Sequence, residues 1–251
     1  MSSNIAIVTG GSRGLGRGMA LKLAARGVSV ILTYRSRADE AASVVAEVQK
    51  LGVRAAALQL DVGKHENFPA FIAEVRSQLQ RWGATRFDFL INNAGVGVHA
   101  SFAETTTAQF DELVDVHLKG PFFLTQGLLP LMADGGRILN VSSGLARFTL
   151  PGYGAYAAMK GAIEVLTRYL AKELGPRGIA ANVLAPGAIA TDFNGGAVRD
   201  NEQLNRLIAS QTALGRVGEV DDIGGVVAVL LSDDSRWING QRIEASGGMF
   251  L

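Results

Sequence analysis

Ile5-Ala6-Ile7-Val8-Thr9-Gly10-Gly11-Ser12-Arg13-Gly14-Leu15-Gly16 sets an unbroken apolar run directly against a cluster of glycines. Such a run suits a strand buried on both faces of a parallel sheet. The residues after it read as a helix, with Met19, Ala20, Leu23 and Ala24 forming an apolar stripe and Gly27 standing where a left-handed residue ends it. Residues 28–32 then give a second buried strand, which closes a βαβ unit of about 30 residues. The strand pattern recurs at 55–60, 87–92, 136–141, 180–184 and 241–244, with helical patterns in the intervals. The alternation predicts an α/β fold: a doubly wound parallel sheet with helices on both faces and right-handed crossovers. No linker, repeat or low-complexity tract interrupts the 251 residues, which read as a single domain, 1–251.

The glycine cluster carries the first functional reading. Gly10 lets the chain turn sharply, Gly14 lets the backbone approach a pyrophosphate, and Gly16 permits close helix–strand packing. The helix that follows presents free N–H groups and a positive dipole end to phosphates. The spacing is G-x-x-x-G-x-G, and the rival reading is an ordinary tight strand-to-helix turn. After the second strand comes Thr33-Tyr34-Arg35-Ser36-Arg37, with no carboxylate where a bare ribose asks for one. Asp39 and Glu40 fall later, as first-turn acids of the next helix. Arg13 and Arg35 instead offer a clamp for a 2′-phosphate, so the expected cofactor is NADP(H), with Ser12, Leu15, Tyr34 and Ser36 beside them. The rival reading makes both arginines solvated surface residues.

Composition narrows the rest. There are 24 basic and 23 acidic side chains, interspersed along the chain, which gives no electrostatic footing for nucleic acid or an anionic membrane. The longest apolar stretches are too short for a bilayer, and Met1-Ser2-Ser3-Asn4 lacks the regions of a signal peptide, so the expected location is the cytoplasm. With no cysteine and with His65, His99 and His117 scattered, no metal site is expected. Ligands of such sheets bind beyond the carboxyl ends of the strands. That rule singles out Asp61-Val62, Asn92-Asn93-Ala94-Gly95, Ser142-Ser143-Gly144 and Pro186-Gly187.

Together with Tyr156-x-x-x-Lys160 and Thr191, these segments make the whole chain resemble the short-chain dehydrogenase/reductases, in the branch of the 3-oxoacyl-[acyl-carrier-protein] reductases. The resemblance implies a Rossmann fold of about seven strands in the order 3-2-1-4-5-6-7. It implies that Asp61 and Val62 contact adenine, that Asn93, Ala94 and Gly95 flank the cofactor with Pro186 and Gly187 at a neighbouring strand end, and that Ile189 and Thr191 approach the nicotinamide. It also implies a homotetramer, with the helices bearing Val114 and Tyr156 packing across one axis and the C-terminal tail across another.

The chemistry implied is hydride transfer between nicotinamide and a ketone or secondary alcohol. Tyr156 and Lys160, at i and i+4, share a helix face, so the ammonium, together with the positive oxidised nicotinamide, would make the phenol a better acid and the lysine would also bind ribose hydroxyls. Ser143 would donate to the substrate oxygen as charge develops on it. Ser142 and Tyr153 are rival candidates for serine and acid, but the family spacing selects Ser143 and Tyr153 lacks a lysine four residues on. Asn92 has a rival reading as a strand-end turn residue. The family usually has asparagine where His117 stands. One reading gives His117 the proton-relay position, with an imidazole that titrates near 6.5; the other has it satisfy helix backbone groups and fill space.

Residues 190–212 read as a mobile substrate lid in which Phe193, Val198 and Leu207 form an apolar wall opposite Leu145, Phe148 and Tyr153. These point to a small-molecule carbonyl substrate with hydrocarbon bulk. The alternatives are a 3-oxoacyl-[acyl-carrier-protein] reductase and an NADPH-binding regulatory protein of weak activity. Arg177 matches a basic position of the carrier enzymes, but Met132-Ala133-Asp134-Gly135 brings no positive charge for an acidic carrier.

Overall fold

The alternation of strands and helices materialises as read. The structure, a computed structural model, describes residues 4–251. Its elements run β1 (Ile5–Val8), α1 (Gly14–Ala24), β2 (Ser29–Tyr34), α2 (Ala38–Lys50), β3 (Ala55–Gln59), α3 (Phe68–Arg81) and β4 (Phe87–Asn92). They continue through α4 (Thr107–Val114), α5 (Gly120–Leu128), β5 (Met132–Val141), α6 (Gly154–Glu173) and β6 (Ala180–Pro186). Three further helices, α7 (Ala197–Asp200), α8 (Glu202–Ser210) and α9 (Val220–Leu230), lead to β7 (Arg242–Ala245). All the pairings are parallel, in the order β3-β2-β1-β4-β5-β6-β7.

Strand β1 shows why an unbroken apolar run was needed. Ala6 and Val8 enter one buried cluster with Met19, Leu23, Val44 and Val227, while Ile5 and Ile7 enter the other with Phe71, Val75, Leu124 and Leu128. Helices α1, α2 and α9 therefore cover one face, and α3 and α5 cover the other. A polar residue anywhere in β1 would lie without water under one of these layers. Gly27, at φ +81°, follows the end of α1 as the sequence suggests.

The differences from the sequence reading are local. Strand β5 begins at Met132 rather than 136, because Phe87 pairs with Met132 and the register then shifts to Phe89–Arg137 across a bulge containing Gly135 at φ +77°. A glycine-bearing irregular stretch carries no period-two signal. Between α4 and α5 lies a π-helical turn, Asp115–Lys119, in which the Gly120 N–H reaches back five residues to the Asp115 carbonyl. Pro121, which has no N–H to donate, follows directly. Such insertions re-aim the side chains they contain, and this one contains His117. No described helix is long and apolar enough to cross a membrane.

Candidate active site

Loops at the carboxyl ends of β1, β4, β5 and β6 open onto one cavity of about 740 Å³. One end is bounded by the glycine loop. Gly10 and Gly14 adopt left-handed φ of +65° and +52°, and a Cβ on Gly16 would stand 2.2 Å from the Gly10 carbonyl oxygen. No side chain fits there, so the start of α1 lies directly on the loop and its free N–H groups face the cavity. The loop is fixed from outside by side chains that the sequence reading passed over. Thr33 Oγ1 accepts from the Gly10 N–H at 3.1 Å, and Thr9 Oγ1 accepts from the N–H groups of Asn93 and Ala94 at 2.9 and 3.0 Å. Asn93 donates its amide to the Thr9 carbonyl at 2.8 Å, so its side chain braces the loop while the residue lines the cavity as the sequence suggests. A hydroxyl bonding to backbone at the end of a neighbouring strand has no period or spacing by which sequence reading could find it.

The other residues assigned to a cofactor line the same cavity: Ser12, Arg13 and Leu15 of the loop, Tyr34, Arg35 and Ser36 after β2, Asp61 and Val62 after β3, Ala94 and Gly95 after β4, and Pro186, Gly187, Ile189 and Thr191 after β6. Arg13 and Arg35 have no ion pair among the described residues, whereas Arg37 is held by Glu40 at the head of α2. Two free cations, a helix N-terminus and a glycine cradle suit a phosphorylated dinucleotide.

Ser143, Tyr156 and Lys160 converge at the middle of the cavity. Helix α6 places Tyr156 and Lys160 one turn apart, and both are almost completely buried. The Lys160 ammonium lies 5.5 Å from the centroid of the Tyr156 ring and donates to the Val141 carbonyl at 2.8 Å. Burial pushes the lysine pKa down to about 7. Burial also pushes the phenol above its ordinary value of 10, although its hydrogen bond with Ser143 acts the other way. The acidification expected from Lys160 together with an oxidised nicotinamide is not produced by the chain's own residues: desolvation dominates, and the neutral phenol is favoured. Ser143 Oγ accepts from the Leu145 N–H at 3.2 Å. Ser142 is differently engaged, donating to Glu164 Oε1 at 2.7 Å and to the Lys160 carbonyl at 3.2 Å.

Both sequence readings of His117 change. The π-helical turn directs the imidazole onto the Tyr156 ring, edge to face with centroids 5.2 Å apart. Nε2 lies 2.7 Å from the Val96 carbonyl and 3.3 Å from the Val96 nitrogen, and the shorter contact, with an oxygen that can only accept, assigns the ring proton to Nε2; Val96 is a loop residue and not a helix one. Nδ1 is buried with no hydrogen-bond partner among the described residues. Burial first, and the Lys160 charge second, push the His117 pKa down to about 3. It stays neutral throughout the physiological range and does not titrate near 6.5. Asn92 is no turn residue either: it lies buried at the end of β4 and donates to Asn140 Oδ1 at 2.8 Å and Thr125 Oγ1 at 3.1 Å, while Asn140 donates to Thr167.

The far end of the cavity is apolar. Phe193, Val198 and Leu207 line it from the lid, with Leu145, Phe148 and Tyr153 opposite, and Leu204, Ile208, His99, Met249 and Phe250 join them. Within the lid span, Asn194, Gly195 and Gly196 are three successive left-handed residues, and α8 buries none of its side chains. Asn194 donates to the Tyr153 hydroxyl at 3.4 Å. The tail residues were missed because Met249 and Phe250 lie outside any periodic element.

Comparison with known proteins agrees with this geometry. Residues 10–250 match a family model described as enoyl-(acyl carrier protein) reductase. A tetrahydroxynaphthalene reductase of Pestalotiopsis fici is 38% identical over 259 residues, covering 98% of this chain and 91% of that one. A 3-oxoacyl-[acyl-carrier-protein] reductase of Staphylococcus epidermidis is 37% identical over 248 residues, covering 98% of each chain. Among solved structures, the angucycline C-6 ketoreductase LanV with bound NADP superposes with a TM-score of 0.93 at 39% identity, covering 98% of this chain and 95% of that one.

Proposed function

The chain belongs to the short-chain dehydrogenase/reductase family, and from that membership we propose an NADPH-dependent ketoreductase acting on ketones that carry aromatic rings. One observation carries the reading: a half-buried serine and a buried tyrosine and lysine line the same cavity as a glycine cradle with two free arginines and a chamber walled by aromatic side chains.

The bound dinucleotide would supply the hydride; the chain's own residues do the rest. Arg13 and Arg35 hold the 2′-phosphate, which selects NADPH over NADH. Ser143 donates to the ketone oxygen and polarises it. Tyr156, kept protonated by burial, is the proton source that oxygen needs. Lys160, with a pKa brought down to about 7, can pass a proton toward the phenol near neutral pH. His117 enters as a neutral group: its bare Nδ1 keeps a lone pair free for a donor in the cavity, and the ring adds no charge beside Lys160.

The names of the naphthalene and angucycline enzymes support the aromatic substrate, as does the lining of Phe148, Tyr153, Phe193 and Phe250. The carrier-linked alternative loses its basic residue, because Arg177 is committed to Asp134 at 2.8 Å and to the carbonyls of Met132 and Leu129, at the end of the sheet opposite the cavity. Phe122, Phe123, Val165 and Tyr169, apolar and partly exposed on α5 and α6, support a homotetramer. The test is a screen of cofactor oxidation over aromatic ketones, diketones and 3-oxoacyl thioesters with NADPH and NADH in parallel. Turnover of aromatic ketones with NADPH is expected. Preference for NADH refutes the arginine clamp, preference for thioesters restores the carrier enzyme, and no turnover on any substrate leaves the regulatory protein.

A further inference from the structure

The last residues of the chain form part of the chamber, and their construction is unusual. Phe250 is one of only two non-glycine residues among those described with a positive φ, at +55°, a strained conformation that persists only where surrounding contacts enforce it. Those contacts are specific. The Phe250 N–H donates to the Gln211 carbonyl at 2.9 Å, which ties the tail to the end of α8. The Phe250 ring packs on Phe148 with centroids 4.8 Å apart. Phe148 in turn lies so close over Gly144 that a Cβ there would stand 2.5 Å from the ring. Gly144 is the neighbour of Ser143, so the two rings extend from beside the serine to the chain's end.

Arg147 locks this assembly. Its guanidinium lies 5.5 Å over the Phe148 ring, donates to the Met249 carbonyl at 2.9 Å and grips both carboxylate oxygens of Glu244 at 2.7 Å. Glu244 also accepts from Arg242 at 2.8 Å, and Arg242 donates to the Ser143 carbonyl at 3.3 Å. One charged network therefore fixes both the backbone of the reactive serine and the wall that a substrate would rest against.

From this we infer that Phe250 is a specificity-determining residue: with Phe148, whose ring is tilted 58° to its own, and held by Arg147, it forms the aromatic wall against which the rings of a multi-ring ketone pack while its carbonyl meets Ser143 and Tyr156. The inference rests on the cavity being a ketone site, but its test separates the two. Take 2-acetylanthracene and acetophenone, which present the same methyl ketone on three rings and on one. Phe250→Ala is expected to lower the ratio of their kcat/KM values by about tenfold, through KM of the larger ketone. Phe250→Tyr, which keeps the ring, should hold the ratio near wild type. Arg147→Gln should lower it in the same direction without removing either ring. An unchanged ratio in Phe250→Ala and Arg147→Gln overturns the inference, as does an equal loss on both ketones. If the wild type reduces neither ketone, the ketoreductase reading fails by itself. Equilibrium binding of 2-hydroxyanthracene against phenol to the NADP-loaded protein then reads the wall alone, and equal weakening of the two by Phe250→Ala refutes it. Should Phe250→Ala also lose NADP binding, Phe250→Leu against Phe250→Tyr makes the same comparison with the pocket filled.

Discussion

The two ends of the cavity are built on opposite principles. The cradle end, at the carboxyl ends of β1, β2 and β4, is fixed by backbone geometry, by buried apolar layers on both faces, and by threonine hydroxyls and an asparagine amide on main-chain groups. The chamber end hangs on a lid helix with no buried side chain, a left-handed corner at 194–196 and a tail pinned by hydrogen bonds to Arg147 and the Gln211 carbonyl. What binds at the first end is set by the fold. What binds at the second is set by side chains that can be exchanged without disturbing it.

Where the two ends meet, the effect of substitution should be greatest. Tyr156→Phe is expected to cut turnover by roughly 10³ while NADPH affinity in equilibrium titration stays at the wild-type level. Undiminished turnover would remove the phenol from the reaction. At the cradle end, Arg13→Ala with Arg35→Ala should raise KM for NADPH by about 10²–10⁴-fold, since each of the two charge-assisted hydrogen bonds to phosphate contributes about 1.5–3 kcal/mol. KM for NADH should not move, and a parallel loss would show that the arginines merely hold the loop. Gly16→Val forces a side chain into the Gly10 carbonyl and should destabilise the protein by about 1–3 kcal/mol in denaturant unfolding.

His117 gives a smaller, pH-dependent effect. Its folded pKa of about 3 lies below the ordinary 6.5, so between these values the unfolded chain takes up a proton that the folded one refuses. Stability should therefore fall as pH drops through that window, by up to about 1.4 kcal/mol per pH unit, and His117→Asn should flatten that slope. The same slope in both proteins would mean that other groups carry it. The least effect is expected at the chamber end, where Leu207→Ser on the exposed lid helix should change stability by no more than about 0.5 kcal/mol. A larger loss would show that the lid is part of the folding core and erase the contrast between the ends.

How much of this was legible follows the same division. The apolar run of β1, the helix stripe after it and the strand spacings predict the sheet, because burial on two faces leaves few polar residues to spare. The cofactor residues and Ser143 fall at strand ends, where chain order alone brings them together, and Tyr156 and Lys160 share a helix turn by their spacing. His117 was visible as a departure, but not its direction, since a π-helical turn arises from one extra residue and a proline and leaves no periodic trace. Its titration was misread because burial cannot be inferred from a residue's type. Thr9, Thr33 and Arg147 act through contacts across tens of residues, and the chamber wall of Met249 and Phe250 comes from a segment without period or motif.

Asn194, Gly195 and Gly196, with φ of 51°, 71° and 80°, also set a practical boundary for redirecting this protein to other ketones. Most codons introduced at that corner encode side chains its backbone rejects, and a library spread evenly over the lid would spend its diversity on misfolded clones. Confining randomisation to Phe193, Leu204 and Ile208 keeps the hinge and varies only the upholstery.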